Sequence, residues 1–436
     1  MTNGPMLASP RGIDFSRELA RLGWYHSMQF PDGEVITGFT PLPVLRDRYA
    51  ELDLPADLHG KRTLDIGAWD GWFSFEMERH GADVTAVDVA EIPNFIYAHG
   101  RFKSKVKYII ADIVDLDPQE LGQFDYVLFL GVLYHVRHPL LALERVCALT
   151  IEKAIVDSFV VDAREPGIAR PSIPFAEFYE ADELGGQIDN WWGPTTACLM
   201  AMCRAAGFVR PRHTSTRFEH ARIICYRNWE PVLGSLRDGR GLVLRSTVHS
   251  RDYGVNFTSG RDEYVTAYFQ TSGLLVKEEV MPAVGGFGTP PIILRSEGED
   301  YWTAIFRLPP GLKPGRHHVR LRTAQVDWSD PTWIYLDCPV SPGRLEIVSA
   351  LRSQECENSI ILWVRGMAEN SDRNNLTVLV NGAAACVDYV GPGVSSEVRQ
   401  VNCSLPAGPE PATAVVQIRQ SGVLSTEVQI QHYTAT

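Results

Sequence analysis

The stretch Leu64-Asp65-Ile66-Gly67-Ala68-Trp69-Asp70-Gly71-Trp72 decides the fold. An apolar run beginning at Arg62 ends in Asp65-Ile66. Gly67 and Gly71 follow, and helical spacing starts at once, with Phe73 and Met77 one turn apart. A strand that passes through a glycine turn into a helix is the opening of a βαβ unit. At the carboxyl end of such a strand, glycines let the backbone approach a ligand closely.

Outward from this loop, apolar runs and helical segments alternate. The runs predict strands at Arg62–Ile66, Asp83–Asp88, Lys107–Ala111, Tyr126–Leu130, Ala154–Val160, Phe208–Thr214 and Ala221–Tyr226. Helices are expected at 71–80, at 138–149 and at 194–206, the last opening with Pro194 in its first turn and closing at Gly207. Such alternation implies a parallel sheet covered on both faces, an α/β Rossmann-like arrangement over 60–229. Asp88 ends the second strand, 23 residues after Asp65, where a carboxylate can accept ribose hydroxyls. Asp112 follows the third strand, where it can accept an adenine amine while Ile113 packs on the ring. A dinucleotide site is the competing reading, but the glycine spacing is not G-x-G-x-x-G.

Three segments together resemble one group of class I S-adenosylmethionine-dependent methyltransferases: Leu64–Trp72, Phe129–Leu141 (FLGVLYHVRHPLL) and Trp191–Phe208 (WWGPTTACLMAMCRAAGF). The group includes the enzymes that install a carboxymethyl group on the tRNA wobble uridine, together with small-molecule methyltransferases. Trp24-Tyr25-His26 and Pro31-Asp32-Gly33 in the lead-in are similar too. The resemblance implies S-adenosylmethionine as cofactor and S-adenosylhomocysteine as product. It implies a cofactor site of Asp65, Gly67, Ala68, Trp69, Gly71, Asp88, Asp112, Ile113 and Gly131. Trp69 stands where the group usually has glycine. The tRNA enzymes have a lysine near the position of Trp24-Tyr25, where this chain has no cation to hold a carboxy-cofactor. Ordinary S-adenosylmethionine is therefore expected.

Methyl transfer depends on near-attack orientation, and on a base only where the nucleophile must lose a proton. Tyr134 and His135 follow the fourth strand at the mouth of the cofactor site, and His135 is the first candidate base. Its bland alternative is a histidine that orders the loop. His26 is a third candidate, set against a plain core or surface histidine. Tyr179, Glu180, Trp191 and Trp192 lie in an insertion suited to cover substrate, with the two indoles able to clamp a ring or to pack a hinge. Arg101, Lys103, Lys105 and Lys107 read as a solvated connector.

Beyond residue 230 helical periodicity stops. Short alternating runs sit between Gly, Pro and Asn turns, which predicts antiparallel β-sandwiches. The expected division is a lead-in or cap at 1–59, the cofactor domain at 60–229, and sandwiches at 230–340 and 344–436. Parts of 374–432 resemble immunoglobulin-like repeats. Tyr301, Trp302, Trp328 and Trp333 are either core aromatics or a carbohydrate-binding face.

The chain has 436 residues and a net charge of −12. Lys and Arg number 23 against 31 Asp and Glu in residues 1–229, and 18 against 22 in the rest, so neither half favours a phosphate backbone. The N-terminal stretch lacks the apolar core of a signal peptide and no run is long enough to span a bilayer, which points to the cytoplasm. None of the eight cysteines forms a C-x-x-C pair, so no metal is expected and free buried thiols are the default, with Cys356–Cys403 or Cys386–Cys403 as alternative bridges. The reading favoured is methyl transfer to a hydroxyl or amine of a small-molecule or glycan-like acceptor. Its alternatives are a tRNA wobble-uridine enzyme and a non-catalytic interaction protein. Nucleic acid and membrane are disfavoured as partners, and self-association through the C-terminal modules is left open.

Overall fold

A computed structural model describes residues 23–163, 173–230, 241–260, 262–298, 300–324, 326–352, 359–391, 397–405 and 413–431. The segment Phe15–Leu22, whose sequence predicts a helix, and Cys356 lie outside them. The chain divides into two compact units. One holds residues 1–231 with the short segments 287–290 and 309–311; the other holds the rest.

The first unit opens with a small antiparallel pair, β1 (Met28–Gln29) and β2 (Val35–Ile36), around the Pro31-Asp32-Gly33 turn. Glu34 N–H donates to the Asp32 carboxylate at 3.1 Å and Gly33 takes φ 89°, so the turn residues act as their chemistry predicts. Helix α1 (Leu42–Ala50) follows. The main sheet is then built from β3 (Arg62–Ile66), β4 (Asp83–Asp88), β5 (Lys107–Ile110), β6 (Phe124–Leu130), β7 (Thr150–Phe159), β10 (Arg210–Arg217) and β11 (His220–Tyr226). Its order is β10-β11-β7-β6-β3-β4-β5. The five strands from β3 to β7 are parallel; the β10–β11 hairpin is antiparallel to β7.

Alternation along the strands feeds two cores. Leu64, Ile66, Val127 and Phe129 face one side, where helices α5 (Pro139–Leu149) and α6 (Thr196–Ala205), which follow the one-turn α4 (Pro118–Leu121), supply Leu143, Val146, Leu199 and Cys203. Ala86, Leu128 and Ile155 face the other, under Phe73, Phe75 and Met77 of α2 (Trp72–Arg79) and Phe95 of α3 (Pro93–Phe102). Met28, Phe30, Leu45, Leu52 and Leu58 of the lead-in join this second core. Arg101 belongs to that junction, not to a solvated connector. Its guanidinium pairs with Asp32 and Glu34 and lies 4.5 Å from the centre of the Phe30 ring.

The helix expected at 194–206 starts later. Trp192–Pro194 is a short strand, β9, paired with β8 (Ala176–Phe178), and Thr195 is the N-cap, its hydroxyl accepting Cys198 N–H at 3.1 Å. A threonine cap outcompetes a proline start because it satisfies one of the open backbone N–H groups. Helices α1 and α3 were not anticipated; both begin at or beside a proline.

The second unit is antiparallel β almost throughout. Its strands within 243–336 form two sheets. The inward residues Val265, Phe269, Ala304 and Phe306 of the first, and Val319, Leu321, Ile334 and Leu336 of the second, are buried. Strands within 346–431 form an eight-stranded sheet over a core that includes Leu362, Val378, Val401 and Ile418. One strand, Ala383–Val390, turns from one half of that sheet to the other: its start pairs with Thr377–Val380 and its end with Val398–Ser404. Trp302 is core. Tyr301 and Trp333 are exposed but lie on different sheets, so the four aromatics do not form one face. Cys386 and Cys403 are free thiols, so neither expected bridge forms.

Candidate functional site

The loop after β3 sits at the carboxyl ends of the parallel strands. Gly67 takes φ 73°, and a Cβ there would collide with the Val132 side chain. Gly71 takes φ 86°, and a Cβ there would come within 2.6 Å of the Phe95 ring. Trp69 also holds a left-handed φ, 53°. That is the conformation glycine adopts without penalty, so the position usually occupied by glycine keeps its backbone shape here with an indole attached. The indole packs against the second core.

Four carboxylates surround this loop. Asp65 is buried and accepts the Ser74 hydroxyl at 2.6 Å. Burial pushes its carboxyl up to about 6, with a further push from the nearby Asp88 charge. Asp88 is also raised by burial to about 6, although Trp69 N–H and Val89 N–H donate to its two oxygens at 2.9 and 2.8 Å. Asp112 caps the turn Ile113–Asp115 through Val114 N–H at 3.1 Å. That turn sends Ile113 into the core beneath α5, while Val89, next to Asp88, is exposed apolar surface at the lip. Adjacency to Asp88 was the available sequence signal for Val89.

Asp70, the fourth carboxylate, is the loop residue that sequence reasoning passed over. It is fully buried, and one oxygen accepts Tyr25 N–H and His26 N–H, both at 2.9 Å. Its other oxygen meets the His26 ring Nδ1. His26 is therefore buried against Asp70 and the Phe73 ring, joining the lead-in to the loop.

On the far side, Gly131 ends β6 with φ 72°, and Tyr134 and His135 occupy a 3-10 turn. Burial pushes the Tyr134 phenol up, so it stays protonated. His135 Nδ1 lies 3.3 Å from the Asp189 carboxylate but outside hydrogen-bond geometry. Tyr134 also touches a residue missed in the sequence: its ring meets that of His220 edge-on at 5.5 Å. His220 Nδ1 lies 3.0 Å from Asp157 at the end of β7. Arg222 closes on the other Asp157 oxygen at 3.1 and 3.2 Å and reaches Glu51 of the lead-in at 3.0 Å. Burial works to raise Asp157, but the His220 bond and the Arg222 charge outweigh it and hold the carboxyl below its usual range.

The insertion splits into two roles. Tyr179 is buried with Phe159, Val161 and Leu184, and its hydroxyl donates to Glu177 at 3.0 Å. Glu180 is exposed. Trp191 stacks under the Arg137 guanidinium at 4.4 Å, its backbone N–H donates to the Tyr134 carbonyl at 2.7 Å, and Trp192 Nε1 donates to the Arg137 carbonyl at 3.3 Å. The indole pair is thus tied to the Tyr134-His135 turn.

Residues 43–194 match a family model described as a methyltransferase domain. A tRNA U34 carboxymethyltransferase of Azotobacter vinelandii is 30% identical over 167 residues, 36% of this chain and 48% of that protein. A ubiquinone biosynthesis O-methyltransferase of Xanthomonas oryzae pv. oryzae is 40% identical over 94 residues, 21% of this chain and 39% of that protein. The chain thus spans about half or less of the length of these two relatives. Among solved structures, the N-terminal domain of EvdMO1 with SAH bound is 22% identical, covering 51% of this chain and 98% of that one at a TM-score of 0.36.

Proposed function

We propose, from the match of residues 43–194 to a methyltransferase-domain model, that the chain is an S-adenosylmethionine-dependent methyltransferase acting on a hydroxyl or amine of a small-molecule or glycan-like acceptor. The observation that carries this reading is the field around the loop. Asp65 and Asp88 are both buried, the Asp88 charge raises the Asp65 carboxyl, and Asp70 and Asp112 flank the same turn. A ligand with net positive charge relieves that repulsion. A dinucleotide would bring a pyrophosphate into it.

The residues fit such a cofactor. At Gly67 and Gly71 a Cβ would strike the Val132 and Phe95 side chains, so the two glycines let the loop fold tightly beneath a ligand. Ala68 and Trp69 continue the cradle, Asp88 offers ribose contacts, and Asp112 with the exposed Val89 offers an adenine pocket, since Ile113 is turned into the core. Gly131, Tyr134 and His135 form the wall toward the acceptor. When bound, S-adenosylmethionine supplies an electrophilic methyl on a sulfonium. The chain's own part is orientation and exclusion of water, with Trp191 and Trp192 holding the Tyr134 turn and His26 fixing the lead-in. This role for His26 is positional; Tyr179 and Glu180 are placed to shape the insertion beside the acceptor.

A second reading, wobble-uridine modification, draws on the similarity to the Azotobacter protein. Incubation with methyl-labelled S-adenosylmethionine and separated small-molecule, glycan and tRNA fractions distinguishes the two. Label in the small-molecule or glycan fraction is expected; label in tRNA alone would replace the first reading with the second.

A further inference from the structure

Three histidines surround the acceptor side of the loop, and they are held very differently. His26 is buried and committed to Asp70. His135 has a carboxylate near its Nδ1 but no hydrogen bond to it. His220 has its Nδ1 bonded to Asp157, a carboxylate that is itself buried and fixed by Arg222. Among the described residues His220 Nε2 has no hydrogen-bond partner, and 28% of the side chain remains open. The ring sits edge-on to Tyr134 and near Phe159.

This is the arrangement of an oriented base: a carboxylate fixes the proton on one ring nitrogen and leaves the lone pair on the other. We propose that His220 is the general base of the methyl transfer, positioned by Asp157 and Arg222, and that the acceptor group is a hydroxyl. The proposal rests on the methyltransferase reading above. A neutral hydroxyl must lose its proton as it is methylated, and a base placed for that is the reason to hold an imidazole so firmly. As the acceptor oxygen bonds to the methyl carbon, the carbon–sulfur bond breaks and its electron pair passes to sulfur. The hydroxyl proton passes to His220 Nε2. The resulting imidazolium faces Asp157, which is anionic, and Arg222 and Glu51 balance one another behind it. Tyr134, the titratable group on the turn packed against the ring, stays neutral, because burial raises its phenol.

The test uses the full chain with selectively labelled histidine, saturated with S-adenosylhomocysteine. Long-range proton–nitrogen NMR, with His220 assigned through H220N, should show the proton on Nδ1 and a bare Nε2. D157N should lose that preference. In parallel, methyl-labelled S-adenosylmethionine is supplied with catechol, 4-nitrophenol and methyl fucoside as hydroxyl probes. Wild type should methylate at least one. H220N should do so at least about a hundredfold more slowly, with S-adenosylhomocysteine affinity within about twofold of wild type. The H220A enzyme should regain rate with added imidazole. Three results overturn the assignment: a proton on Nε2, transfer by H220N within about threefold of wild type, or no transfer by wild type to any hydroxyl probe. If wild type fails to bind S-adenosylhomocysteine at all, the methyltransferase reading itself falls.

Discussion

The Asp70 carboxylate holds His26 from two sides: Oδ2 accepts its backbone N–H at 2.9 Å and Oδ1 meets its ring Nδ1. Tyr25 N–H shares Oδ2. One fully buried side chain of the cofactor loop therefore fixes the path of the lead-in 44 residues upstream.

Removing Asp70 should uncouple the two segments. D70A leaves two backbone donors and a buried ring without their acceptor, at a cost of about 3–5 kcal/mol. Urea denaturation measures that loss. S-adenosylhomocysteine affinity should fall at least about tenfold, since the loop loses its backing. Unchanged stability would mean the lead-in is held mainly by Met28, Phe30 and Leu45.

Asp65 predicts the opposite effect on stability. Its folded carboxyl sits at about 6, above the ordinary 3.8. Between those values the folded state binds more protons than the unfolded state, so stability falls as pH rises through that window. D65N keeps an acceptor for Ser74 but removes the charge. It should match wild type below about pH 4 and exceed it above about pH 6 by at most about 3 kcal/mol. Cofactor affinity should drop at the same time. Denaturation series at several pH values, with calorimetry alongside, check both parts.

Asp157 behaves the other way. Its folded carboxyl is held below the ordinary range, so its contribution is present at neutral pH and lost as pH falls through the folded value. R222M removes the guanidinium that lies with Asp157 in a buried pair. It should cost about 3–5 kcal/mol near pH 7. The gap to wild type should narrow as pH drops below about 4.

Trp69 separates strain from packing. W69A keeps a side chain at φ 53° and loses the indole contacts. W69G loses the same contacts and the strain. The glycine variant should be the more stable of the two by about 1 kcal/mol. Equal stabilities would show that the loop relaxes once the indole is gone.

Much of the sheet was legible because strand signals are local. Arg62–Ile66 and Asp83–Asp88 appear with their expected bounds, and the loop between β3 and α2 follows from its glycines. In the second unit alternation is plain at the strands Thr332–Leu336 and Thr377–Val380, while in Pro291–Gly298 Arg295, Ser296 and Glu297 blur it. The links across the site were not legible. Asp70 with His26, and Asp157 with His220, depend on strand pairing and on the docking of the lead-in, which no local spacing reports. His220 reaches Tyr134 because the antiparallel β11 starts opposite Phe159, where β7 ends. A one-residue change in that register would turn it to the other face.

The central claim, that the Asp65–Gly71 loop holds a sulfonium cofactor, is tested most directly by calorimetric titration of the full chain with S-adenosylhomocysteine, with NAD as the control. The account predicts one site per chain in the micromolar range for S-adenosylhomocysteine, weakened by D88N, and no heat from NAD. Binding of NAD with silence from S-adenosylhomocysteine would contradict it.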